Sequence, residues 1–304
     1  MLEILLKAVG LICIIVLGYV LKKVGFFKPK DYVLIAKITL NVTLPAAVIT
    51  SFSQSNLDFS LIWLVVIGLA CNLVMVGLGY LTARKRDNTT KAFYMINMSG
   101  YNIGCFALPF IQSFLGAGGV VAACMFDAGN ATMCTGGTYA LAQGVDGTGN
   151  GGGFKRAMKA LFTSVPLLVY ISMFALSAVN VRLPDFVIDV ASVIGAANAF
   201  MAMLMIGMMF EITPKKEYMK DAAQVLLWRY SMAAVFAVLI WFFAPFTAEV
   251  RQVLVILVFG PIAAMAPVFT EKCKGNVALS SMVNSTTIVI STVCMTILLM
   301  AMNS

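Results

Sequence analysis

Ten runs of apolar residues, each about as long as a membrane helix, follow one another along 304 residues with only short polar gaps between them. A bilayer core about 30 Å thick needs roughly 20 apolar residues per helix. The runs lie near 2–22, 32–53, 58–83, 91–115, 118–143, 156–180, 186–210, 221–246, 250–271 and 276–302. In lipid a helix pairs its own backbone groups, so the expectation is an all-α integral membrane protein of ten transmembrane helices. Hydrophobic residues make up 61% and charged ones 11%, against about 45–50% and 25% in an average soluble domain. The gaps leave no room for a soluble domain of any size. The first run, 2–21, is too long for a signal-peptide core and lacks a small-residue cleavage site, so it is expected to stay as the first helix.

Several chemistries are excluded at once. Histidine is absent, which removes Ser-His and Cys-His catalysis, histidine metal sites and histidine proton relays. Ser99 and Ser164 have no base nearby in sequence, so no enzyme is expected. The seven cysteines are scattered inside apolar runs without CxxC spacing, and they read as small packed hydrophobes rather than a disulfide frame or zinc site. A net charge of +8 would suggest nucleic acid only if the basic residues gathered on a water-exposed module. Here they sit in membrane loops.

Those loops orient the chain. Sixteen of the 21 Lys and Arg fall in the odd-numbered gaps and two, Arg182 and Arg251, in the even ones. Translocating basic residues is disfavoured, which places the odd gaps in the cytoplasm and both termini outside. The segment GVDGTGNGGG at 144–153 reads as a flexible linker. It divides the chain into five-helix units at 1–144 and 155–304, with 145–154 as the cytoplasmic connection. Its GxGxxG match at Gly147, Gly149 and Gly152 follows no strand and precedes no phosphate-binding Lys, so it is a linker and not a nucleotide loop. Five is odd, so the second unit must enter the membrane opposite to the first.

Related halves would then form an inverted repeat, and the sequence carries traces of one. The stretch GYNIGCFALPFIQSFLG at 100–116 is interrupted by Gly100, Asn102, Gly104 and Pro109. ALPFIQSFLG around Pro109 aligns with MAPVFTEKCKG around Pro267 at an offset of 158, which also carries Asp127 onto Ser285. NVTLPAAVI, with Asn41 and Pro45, echoes GAANAFMAMLMIG, with Gly195 and Asn198. A broken helix survives in a membrane only where it is buried in protein or lines a cavity. Breaks in matching positions of inverted halves point to secondary transporters with sites near the midplane; the competing reading is that Pro and Gly only kink or pack the spans.

Asn102-x-Gly104-x-x-Ala107-x-Pro109 resembles the NxGxxGxP signature of the auxin efflux carrier family of membrane transporters, with Ala107 in place of the second Gly. Met265-Ala266-Pro267 resembles the matching break in the ninth span, and GAANAFMAMLMIG the seventh span, with Asn198-Ala-Phe where a Pro is often found. The resemblance implies a fold akin to bile-acid and sodium/proton carriers. Spans 1, 2, 6 and 7 would be the scaffold, the rest a moving core, and two broken helices would cross at the centre and cradle an organic anion. It also implies a dimer. The short linker is similar to compact bacterial members associated with dicarboxylates such as malate or malonate, rather than auxin.

Asp127 is the carboxylate placed deepest in a span, at a cost of at least about 2.5–3.5 kcal/mol, which marks it for function. It shares a helical face with Asn130, Cys134 and Thr138. Burial favours its protonated form and would make it a proton carrier; a bound sodium ion would keep it ionised, with Asn130, Asn284 and Ser285 as further oxygen ligands. A third reading keeps it permanently protonated on Asn130. The substrate-binding candidates are Asn102, Gly104, Pro109, Met265, Pro267, Asn41 and Asn198. Asn102 could equally join helices, and Met265 and Phe106 could simply pack. Lys37 and Arg229 read as residues that snorkel to the interface, with attraction of substrate as the alternative for Arg229. The expectation is an ion-coupled plasma-membrane carrier of a small organic anion, needing no cofactor beyond H+ or Na+. A channel and a membrane sensor are the alternatives, and the filter repeats of a channel are missing.

Overall fold

A computed structural model of the chain describes residues 2–28, 30–55, 58–146, 153–211 and 216–302. Most of the Gly-rich linker, including Gly147, Gly149 and Gly152, lies outside them, as does Lys215. The described residues are helical, with a single two-residue bridge in place of a sheet. Helices α1 (Leu2–Lys23), α2 (Tyr32–Gln54), α3 (Phe59–Thr82) and α4 (Asn88–Met98) come first. Next are α5 (residues 103–115) and α6 (residues 117–146), which meet at Gly116. The second half contributes α7 (Gly153–Phe162), α8 (Val165–Ala178), α9 (Asp185–Met209) and α10 (Lys216–Phe243), then α11 (Ala248–Val258), α12 (Ala266–Lys272) and α13 (Val277–Met302).

Seven helical stretches among the described residues are long and apolar enough to cross a membrane. Three of the ten apolar runs give no such helix of their own, because each is broken. Runs four and nine are interrupted at residues 99–102 and 259–265, as their Gly and Pro content suggests. Run six is interrupted at Thr163 and Ser164, a break not foreseen. Pro45 and Pro109 follow π turns inside α2 and α5, whereas Pro166 and Pro267 mark where helix resumes after a break, each in the second position of its helix. A proline there forfeits only an N–H that has no intrahelical partner anyway. Helices α2, α5 and α6 also contain wider π turns, at Thr39–Thr43, Ile103–Ala107 and Met133–Gly137.

Without a hydrophobic driving force between helices in lipid, close backbone contact holds the bundle together. α3 and α6 show how. A Cβ on Gly68 would collide with the carbonyl of Phe126, and one on Gly129 with the carbonyl of Val65. α1 packs along α9, and α2 packs on both α8 and α9, giving a four-helix layer; α3, α4, α6, α10, α11 and α13 surround the two central breaks. The outer surface is rich in large apolar side chains such as Phe186, Val193, Phe242 and Phe243, a surface suited to acyl chains rather than water.

Candidate functional site

The two central breaks lie side by side. Tyr101 and Ile262 form an antiparallel bridge, and the Asn102 N–H donates to the Pro261 carbonyl over 2.9 Å. Breaking a helix frees backbone groups that must be paired again or pay several kcal/mol each in a dry setting. Side chains do that pairing. The Asn130 amide imitates a neighbouring strand: its Oδ1 accepts from the Tyr101 N–H at 3.0 Å and its Nδ2 donates to the Tyr101 carbonyl at 2.8 Å. Asn72 Oδ1 accepts from the Gly100 N–H at 2.7 Å, and its Nδ2 donates to Asn130 Oδ1. Gly100 itself holds φ +75, and a Cβ there would stand 3.0 Å from that of Ala263. On the second break, Thr287 Oγ1 accepts from the Ile262 N–H at 3.2 Å, and Asn284 Nδ2 donates to the Ala263 carbonyl at 3.2 Å.

Arg229 closes the arrangement and corrects the interfacial reading of this residue. It is 2% exposed, and its guanidinium donates to the carbonyls of Met98 (2.9 Å), Gly100 (2.9 Å) and Gly260 (2.8 Å). It also lies 4.9 Å from the centre of the Tyr101 ring. These carbonyls belong to the C-terminal ends of α4 and α11, where the helix dipole is negative, so a fixed cation is favoured there. Its fork of five donors reaches both breaks at once, which a lysine cannot do. Lys37, by contrast, is exposed.

Asp127 is held by the same Asn130 amide that pairs with Tyr101. It is 8% exposed; Oδ1 accepts from Asn130 Nδ2 at 2.8 Å and Oδ2 accepts from the Tyr170 hydroxyl at 3.0 Å. Tyr170 comes from α8, so this bond joins the four-helix layer to the helices around the breaks. Cys134 and Thr138 follow the expected stripe: Cys134 Sγ lies 3.3 Å from Asn130 Oδ1, and Thr138 Oγ1 lies 3.3 Å from Ser99 Oγ.

A cavity of about 310 Å3 opens beside this carboxylate, at the small end of the usual range for small-molecule sites. α2 contributes Leu40, Asn41 and Leu44, and the first break Tyr101 to Cys105. α6 adds residues between Asp127 and Thr135, the break in run six adds Thr163 to Leu167, Tyr170 follows on α8, and Ala263 to Met265 close the wall. Of the expected site residues, the structure gathers Asn41, Asn102, Gly104, Asp127, Asn130 and Met265 here. A Cβ on Gly104 would stand 3.7 Å from Asp127 Oδ2. Asn102 is 8% exposed, and its amide has no partner among the described residues.

Other candidates lie elsewhere. Pro109 and Pro267 sit in the helices that follow the breaks and do not line the cavity. Asn198 is buried between helices, accepting from Thr43 Oγ1 at 3.1 Å and donating to Gln112 Oε1 at 3.3 Å. Asn284 and Ser285 are also outside the cavity; Ser285 Oγ accepts from the Glu211 N–H at 3.1 Å. Phe106 is buried in the core. Among the described residues, no group of three or more Cys, Asp or Glu is placed to hold a metal ion.

Apolar helices long enough to cross a bilayer, several times over, define a multi-pass membrane protein, with paired breaks, a buried carboxylate and a cavity at its centre. Comparison with known proteins agrees. Residues 4–147 match the family described as "Membrane transport protein", which is that of the auxin efflux carriers. The match bears out the resemblance drawn from Asn102 to Pro109, and the family is one of transporters and not enzymes. A protein of Methanothermobacter thermautotrophicus named "Uncharacterized transporter" is 25% identical over 130 residues. That alignment covers 41% of this chain and 43% of the relative, so less than half of either protein is compared.

Proposed function

We propose that this protein is a secondary active transporter that moves a small organic anion, such as malate or malonate, across the plasma membrane, coupled to H+ or Na+. The observation that carries the reading is the shared cavity: an unpartnered Asn102 amide and a buried Asp127 carboxylate face the same 310 Å3 space at the crossing of two broken helices. Arg229 occupies the negative helix ends, while Gly104 and Cys105, at the opposite, positive end where α5 begins, keep N–H groups without backbone partners. That division of charge favours a negative ligand in the cavity. Such a ligand meets a like charge in ionised Asp127, so its entry is linked to entry of a cation. Na+ or H+ would serve, with Asn130 fixing Asp127 in either case.

In this reading the chain holds ten spans as a five-plus-five inverted repeat, 1–144 and 155–304 joined by a cytoplasmic 145–154, with both termini outside. The hydrogen bonds supply support for the repeat. On α6 Asn130 pairs with Tyr101 and donates to Asp127 three residues before it; on α13 Thr287 accepts from Ile262, and Asn284 three residues before it donates to Ala263. Asn284 is therefore the better counterpart of Asp127 than Ser285. α1, α2, α8 and α9 would act as scaffold, and the helices around the breaks as a core that moves like an elevator, with dimers forming through the scaffold. Tyr170–Asp127 would then be a contact that every transport cycle must break and remake.

The test is uptake of radiolabelled malonate by proteoliposomes under separately imposed pH and sodium gradients. A carrier gives saturable, counterflow-competent uptake driven by one of the gradients. Large currents without saturation would instead favour a channel, and binding without flux a sensor.

A further inference from the structure

We infer that the anion is held by the N-terminus of α8, a site outside both crossing breaks, with Asn102 as its second anchor; this rests on the transporter reading above. α8 is 14 residues long and starts at the cavity wall. Ser164 precedes it in extended conformation (φ −75, ψ 112), where a serine ordinarily caps the third N–H of the helix, yet its hydroxyl makes no cap bond. Pro166 has no N–H. The N–H groups of Val165 and Leu167 have no backbone partner among the described residues, and the first backbone bond of this turn runs from Leu168 to the Ser164 carbonyl. Two donors and the positive end of a helix dipole are thus left beside a cavity, an anion-binding arrangement.

A second observation points to the same ligand. The Asn102 amide, more than nine-tenths buried and without a side-chain partner, lines this cavity together with Ser164, Val165 and Leu167. Facing the cavity without a partner among the described residues, the Asn102 Nδ2 donor is free to meet a carboxylate oxygen there. Asp127 accepts from Asn130 and Tyr170 and, among the described residues, from none of these donors. The ligand class that fits is a small carboxylate, one oxygen on Val165, Leu167 and the Ser164 hydroxyl, another on Asn102. Because α8 packs on α2 and, through Tyr170, on α6, the anion would bridge the four-helix layer and the crossing, and its binding would depend on how the two are disposed.

Ser164→Asp tests this directly. Aspartate is a good N-cap, so it fills the α8 donors with its own carboxylate and leaves the helix as stable or more so. Thermal shift of purified protein with malonate as ligand, and neutral malonamide as control, gives apparent affinities. The expected result is a malonate response in the unmodified protein and none to malonamide. In Ser164→Asp the melting temperature without ligand is unchanged or higher, and malonate affinity falls about tenfold or more. Val165→Pro, which removes one donor at the helix position proline favours, weakens malonate less but measurably and serves if Ser164→Asp does not fold. Malonate affinity within about twofold of the unmodified protein in either folded variant overturns the α8 assignment alone. No malonate response in the unmodified protein overturns it together with the organic-anion reading.

Discussion

Replacing Arg229 by Met keeps the length and apolar stem of the side chain but removes its donors from three buried carbonyls, those of Met98, Gly100 and Gly260. A charge-assisted hydrogen bond contributes about 1.5–3 kcal/mol, and an orphaned buried acceptor costs roughly 1–3 kcal/mol. Three such losses sum to about 4.5–9 kcal/mol. Relief from burying a guanidinium offsets part of this, because an ion withdrawn from water carries several kcal/mol of desolvation. A net loss of about 3–5 kcal/mol remains, a fall of roughly 6–20 °C in apparent melting temperature for a chain of this size. The assay is intrinsic tryptophan fluorescence during heating in detergent, with Arg229→Lys beside it. Lysine keeps the charge but cannot span both breaks, so an intermediate loss is expected. A melting temperature for Arg229→Met within about 2 °C of the unmodified protein would refute the clamp.

Other outcomes follow from the same geometry. Asp127→Asn is expected to abolish gradient-driven accumulation in proteoliposomes while leaving exchange of internal for external substrate; intact accumulation would remove Asp127 from coupling. Gly129→Leu pushes a side chain into the Val65 carbonyl and is expected to destabilise by about 3 kcal/mol or more, read as loss of the folded monodisperse peak on size exclusion. Asp87 caps α4, accepting from the N–H and hydroxyl of Thr90, and those bonds, the side-chain one foremost, hold its carboxyl below the ordinary aspartate range. Its contribution is fully present above the unfolded value near 3.8 and is lost as pH falls through the lower folded value. Asp87→Ala is therefore expected to cost about 0.5–1 kcal/mol at neutral pH, after solvent screening, and nothing at strongly acid pH; an equal cost at both would contradict the cap.

How legible the site was depended on how local its chemistry is. Asn102, Gly104 and Pro109 announce a break because Gly and Pro act on the backbone where they stand, and Pro267 does so in the same way. Asp127 and Asn130 are three apart, so helical periodicity alone puts them together. Tyr170 lies 43 positions from Asp127, and no periodic pattern reaches that far. Arg229 failed for a related reason. Trp228 and Tyr230 beside it imitate an interfacial belt, while its actual partners are backbone carbonyls 31 and about 130 positions away, and a carbonyl has no side-chain signature. The break before α8 carries only Pro166, which could as easily begin an unbroken helix.

The most direct test of an anion carrier built on the crossing is malonate counterflow in proteoliposomes, compared between the unmodified protein and Asn102→Leu. Transport through this cavity gives saturable uptake stimulated by malonate on the opposite side, and loss of that stimulation when the Asn102 amide is removed from a folded protein. Flux that is linear in malonate, indifferent to internal malonate, or unchanged in Asn102→Leu would contradict it.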